Sequence, residues 1–133
     1  MKSFQALFFL LIVPQLVAAE YRNPCDEYAN KYEQYSCLDA ESQRLKSELE
    51  AVKNRFPQKF EEMRSVGLDQ GNNLEAWLAK TSYAFDQYVE ELCGLRIQMT
   101  GAAIGSGAGI GFQRCELYLT NDRIRHLEAV LAE

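Results

Sequence analysis

The residues best able to do chemistry in this 133-residue chain are four cysteines, one histidine and two pairs of adjacent carboxylates. Structural zinc needs close ligand pairs, and Cys25, Cys37, Cys93 and Cys115 include none. His126 is the sole histidine, so a second imidazole for a metal or a proton relay does not exist. Glu61 with Glu62, and Glu90 with Glu91, are sequence neighbours. On a helix such neighbours do not face each other, which leaves them as solvated surface rather than an acid/base pair. These patterns predict no cofactor, no metal and no enzyme activity. An even number of well-spaced cysteines reads instead as two disulfides.

Between Cys93 and Cys115 lies a run of small residues holding Gly101, Gly105, Ser106, Gly107, Gly109 and Gly111. Gly101, Gly105 and Gly109 have the spacing of membrane helix pairs, but the run is too short to span a bilayer. A phosphate loop fails as well, because Ile110 stands where the third glycine belongs and no Lys-Ser or Lys-Thr follows. Glycine disfavours helix. The run is therefore predicted to be a connector loop, and it is the candidate partner-binding loop, since loops on rigid scaffolds often carry binding.

The elements that position these residues follow from periodicity. Residues 1–19 read as a Sec-type signal peptide: Lys2, an apolar run from Phe4 to Val17 broken by Pro14, then Ala18-Ala19 at the cleavage position. Removing it leaves residues 20–133 as one domain in the periplasm or outside the cell, not inserted in a membrane. That domain carries 13 basic and 19 acidic side chains, net −6. Such a balance disfavours nucleic acid and anionic membrane surfaces and suits a cationic partner.

Asn23-Pro24 looks like a helix start, and Tyr28, Tyr32, Tyr35, Leu38, Leu45, Leu49, Val52 and Phe56 recur with helical period. Pro57 ends or kinks this first helix. The turn-rich Gly67–Asn73 follows, and Asn72 or Asn73 caps a second long helix. Its stripe of Leu74, Trp77, Leu78, Thr81, Phe85, Tyr88, Leu92, Leu95 and Met99 is expected to be core. Beyond the glycine run, Thr120 with Asn121 and Asp122 is placed as the cap of a last helix. The expected fold is all-α: an antiparallel bundle of three main helices, with a glycine-rich loop before the last and two disulfides.

A continuous first helix would put Cys25 and Cys37 about 18 Å apart, and a disulfide needs Cα atoms within roughly 7 Å. An antiparallel second helix brings Cys93 level with positions 33–44. The expected pairs are therefore Cys37 with Cys93 and Cys25 with Cys115.

With these residues set out, the chain resembles the LprI-like lysozyme-inhibitor family of small exported bacterial proteins. The resemblance rests on Cys25 and Cys37, on Phe-Asp-Gln-Tyr-Val-Glu-Glu-Leu before Cys93, and on the run after Cys115 in which Thr120, Arg123 and Leu127 match the family's terminal pattern. Phe85 stands where the family usually has Trp, Val89 where it has Arg, Glu90 where it has Asp, and Lys46 where it has Asn. The resemblance implies an inhibitor of lysozyme-type muramidases acting by protein–protein binding. An immunity protein against a toxin that degrades the cell wall, and a non-enzymatic envelope scaffold, are the alternative readings. Muramidases are commonly basic with an open carboxylate-bearing cleft, so an acidic inhibitor would be steered toward one.

Overall fold

The computed structural model describes residues 21–100 and 107–133. The signal-peptide expectation, and Gly101, Gly105 and Ser106 of the loop expectation, lie outside the described residues. Four α-helices account for most of the rest: α1 Lys31–Lys53, α2 Phe56–Ser65, α3 Leu74–Thr100 and α4 Gly107–Ala132. Among the described residues there is no strand. Chain direction reverses between α2 and α3 and again between α3 and α4, giving the three-helix antiparallel bundle with α2 as a short extension of the first arm.

The first helix starts later than Asn23-Pro24 suggests. Asn23 Oδ1 accepts from the Cys25 amide at 3.0 Å, but this caps only a single 3-10 turn, Pro24–Glu27. Tyr28 is then extended, with φ −81° and ψ 121°. Asn30 makes the second cap, accepting from the Tyr32 amide at 2.8 Å, and α1 begins there. The break folds the 3-10 turn back against α1. Cys25 and Cys37 therefore come to a Cα separation of 5.6 Å and bond to each other. Cys93 bonds Cys115, also with Cα atoms 5.6 Å apart. Both expected pairings are thus overturned, and by one cause: the distance argument assumed a helix that Asn30 interrupts.

The last helix starts earlier than Thr120 suggests. Gly107, Gly109 and Gly111 are in the first turns of α4 rather than in a loop. Thr120 lies in mid-helix and is buried. Glycine costs helix about 1 kcal/mol per residue, but α4 is set by burial. Ile110, Leu117, Thr120, Ile124 and Leu127 recur at sevens, threes and fours and are all buried. Gly109 also has a packing role, because the Tyr35 hydroxyl occupies the space where a Cβ would sit.

Helix α4 packs against both α1 and α3 and is the centre of the molecule. The main core joins Leu38, Leu45 and Val52 of α1, Phe56 and Phe60 of α2, and Ile110, Leu117, Ile124 and Leu127 of α4. Ion pairs fix α1 and α4 as parallel neighbours: Lys46 with Glu116 at 3.0 Å and Arg55 with Glu128 at 3.8 Å. A smaller cluster, Val89, Cys93 and Cys115 with Phe85, Phe112 and Leu119, joins α3 to α4. Pro57 sits in the first turn of α2, where its missing N–H costs nothing. Gly67, at φ +72°, ends α2: the Leu68 amide donates to the Met63 carbonyl at 2.9 Å, the bond of a Schellman cap. Arg64 then ties the turn together by pairing with Glu61, Asp69 and Glu75. As expected from Asn72-Asn73, a side chain caps α3: Asn73 Oδ1 accepts from the Ala76 amide at 2.9 Å.

Candidate functional site: the outer face of α3

Helix α3 buries only Val89 and Cys93 fully. Its apolar stripe divides. Leu74, Leu78 and Phe85 pack inward, whereas Trp77, Tyr88, Leu95 and Met99 face outward, with exposures of 58%, 53%, 56% and 79%. The expectation that the whole stripe is core is corrected for these four and for Thr81, which is also exposed. The reason is that α3 carries apolar residues over two adjacent faces, and α4 covers only one of them. The outward row runs about 33 Å along the helix at 1.5 Å per residue. Tyr118 of α4, also exposed, lies beside its C-terminal end and lines the same groove as Leu95 and Met99.

Polar contacts hold the row's edges. The Arg123 guanidinium lies 5.7 Å from the Phe85 ring centre and donates to Thr81 Oγ1 at 3.0 Å. Partial burial lowers its pKa from the usual arginine range. Lys80 Nζ stands 5.3 Å from the Trp77 ring centre, a cation–π distance.

The segment before the 3-10 turn is anchored on α1. The Tyr21 hydroxyl donates to Glu41 Oε1 at 3.0 Å, and Arg44 grips the same carboxylate through two bonds of 2.7 and 2.8 Å. The Arg44 hydrogen bonds hold the Glu41 carboxyl below its ordinary pKa despite partial burial. Burial, then the Glu41 hydrogen bond, raises the Tyr21 phenol.

The residues singled out for chemistry are scattered. His126 is exposed and lies 3.6 Å from Asp122, one helical turn away. Glu61 pairs with Arg64, and Glu62 accepts from Gln58 at 3.2 Å. No group of three His, Cys, Asp or Glu gathers as a metal site among the described residues, and none of their helices is long and apolar enough to cross a membrane. All four cysteines are in disulfides. Of the glycine-run candidates, Gly107, Gly109 and Gly111 open α4.

The outward row is a site that sequence reasoning placed in the core. Its signal was present, because Val89 and Cys93 define a second apolar direction one helical step from the first. No protein-family model, no curated protein and no solved structure matches the chain.

Proposed function

We propose that this chain is an exported protein that binds and inhibits a lysozyme-type muramidase, with the outer face of α3 as its contact surface. The observation that carries the binding role is the row Trp77, Tyr88, Leu95 and Met99, exposed on a bundle held by two disulfides. Large apolar side chains set along one face of a helix and left exposed mark partner sites. Aromatic and Met side chains are enriched at the centres of interfaces. The disulfides lower the ordering cost of binding. The muramidase as target comes from the LprI-like resemblance, and the net −6 charge of residues 20–133 suits a basic enzyme. Residues 101–106 follow the row in the chain and hold the rest of the glycine run, the second candidate for the contact.

The test is a turnover assay against a panel of basic and acidic lysozymes, with wild-type protein, Trp77→Ser with Tyr88→Ser, and a chain shortened within 102–105. A deletion reaching Ile110 is unsuitable, because that residue is buried core. Inhibition by wild type and its loss in the Trp77/Tyr88 variant support the reading. No inhibition of any enzyme at micromolar protein refutes it, and an immunity or envelope-scaffold role then leads. Loss only on shortening moves the contact from the row to residues 101–106.

A further inference from the structure

Arginines collect at one end of this acidic molecule. Arg22 of the N-terminal segment, Arg96 of α3 and Arg114 of α4 line one cleft of about 730 Å³, together with Asp26 and Tyr118. Asp26 answers only Arg114, at 2.8 Å. Arg22 reaches Glu27 only at 4.0 Å, with both side chains in solvent. Among the described residues no carboxylate pairs with Arg96. The cleft therefore carries a local positive excess inside a domain of net −6. Gathering like charges does nothing for folding, but a concave site with an excess of one sign focuses the field on an incoming ion of the other.

A second cavity adjoins the first and shares Arg96 and Tyr118 with it. This groove, of about 410 Å³, runs between α3 and α4 and is otherwise walled mainly by Leu92, Leu95, Met99 and Leu119. From Leu92 to Met99 it extends about 10 Å along α3. A cationic cleft opening into an apolar groove matches a molecule with an anionic head and a hydrocarbon tail. We propose that this end of the bundle binds a free single-chain carboxylate amphiphile: its carboxylate lies among Arg96, Arg114 and Arg22, and its alkyl chain lies in the α3–α4 groove. Arginine suits the head because its planar fork binds carboxylate through two bonds. Burying the tail supplies the remaining affinity. A free molecule fits better than a bilayer, since the site is concave and short and the net negative charge repels an anionic membrane surface. This inference does not depend on the muramidase reading, although Leu95 and Met99 belong to both surfaces.

The experiment titrates the intact, disulfide-bonded chain with decanoate below its micelle-forming concentration, followed by calorimetry and by two-dimensional NMR. Wild type should saturate at one decanoate per chain, with shifts confined to residues around Arg96, Arg114, Leu95 and Met99, and binding should weaken with salt. Arg96→Gln should lose affinity about tenfold or more, as for a hydrogen bond between charged groups. Leu95→Gln and Met99→Gln should each weaken binding while far-UV circular dichroism stays unchanged, because all three side chains are exposed. Acetate should show no saturation, and 1-decanol should bind far more weakly than decanoate. Trp77 is the chain's single tryptophan and stands about 27 Å along α3 from Leu95, so its emission should stay constant. Equal binding of 1-decanol, an unaltered Arg96→Gln variant, or a Trp77 response that tracks binding would each overturn the proposal. So would capture by phosphatidylglycerol vesicles without binding of free decanoate, which would make the occupant a bilayer.

Discussion

Two leucines of identical chemistry separate the observed core from the one that periodicity suggests. Leu117 of α4 is 1% exposed and Leu95 of α3 is 56% exposed. Leu117→Ala removes side-chain carbons at the centre of the helix that packs on both α1 and α3, inside the main buried cluster. Buried Leu→Ala changes of this kind cost about 3–4 kcal/mol, the transfer term plus the cavity left behind. With an unfolding entropy near 2.1 cal/mol/K per residue, a domain of this size should lose about 13–17 °C in melting temperature. Leu95→Ala opens no cavity, and Ala is the better helix former, so its effect should stay within about 0.5 kcal/mol. The assay is paired chemical and thermal denaturation of both variants under non-reducing conditions. Two protein concentrations keep self-association through the α3 row from entering the comparison. Equal destabilisation by the two changes would refute the placement of α4 at the centre and of Leu95 outside.

Non-reducing peptide mapping should recover Cys25 linked to Cys37 and Cys93 linked to Cys115, and replacing the first pair by serine should cost about 3 kcal/mol, from the length of the closed loop. Gly94→Ala, with open space beyond its Cα inside α3, should stabilise by about 0.5–1 kcal/mol, whereas Gly109→Ala should gain little or lose stability because Tyr35 must move; chemical denaturation reads both. Glu41 has a depressed folded pKa, so its contribution is full above the unfolded carboxyl value near 4.3 and is lost as pH falls through the folded value. Glu41→Gln should therefore cost about 1–2 kcal/mol at neutral pH and flatten the acid limb of a stability–pH profile.

What was legible in the sequence was whatever a single residue type dictates locally. Asn73 caps α3, and Gly67 ends α2 at positive φ; Pro57 marks a break in the first arm, although α1 stops at Lys53 and Pro57 lies in the first turn of α2. The all-α bundle of three main helices followed from these stops and from the apolar spacing. What failed required weighing two competing signals. Asn30 followed by Glu33 has the spacing of a helix start, but Asn23-Pro24 is the stronger signature, and accepting it alone removed the break that lets Cys25 reach Cys37. At the other end, glycine propensity argued for loop, while the sevens-and-threes spacing of Ile110, Leu117, Thr120, Ile124 and Leu127 argued for helix. Burial against α1 outweighed the propensity cost. The exposed row on α3 was hidden for a related reason: periodicity marks an apolar face without saying whether another helix covers it.

Each disulfide joins cysteines that are consecutive in the chain, first with second and third with fourth. A chain oxidised in order from its N-terminus would reach the native bonds directly, because each new thiol meets its correct partner before a competitor emerges. The order of synthesis then does the work that thiol–disulfide exchange must do for interleaved patterns. A simple oxidant should suffice to mature this protein, without an isomerase to correct its pairs. The segment between the two closed loops, Leu38 to Leu92, carries no crosslink at all, so its place in the bundle depends on packing alone.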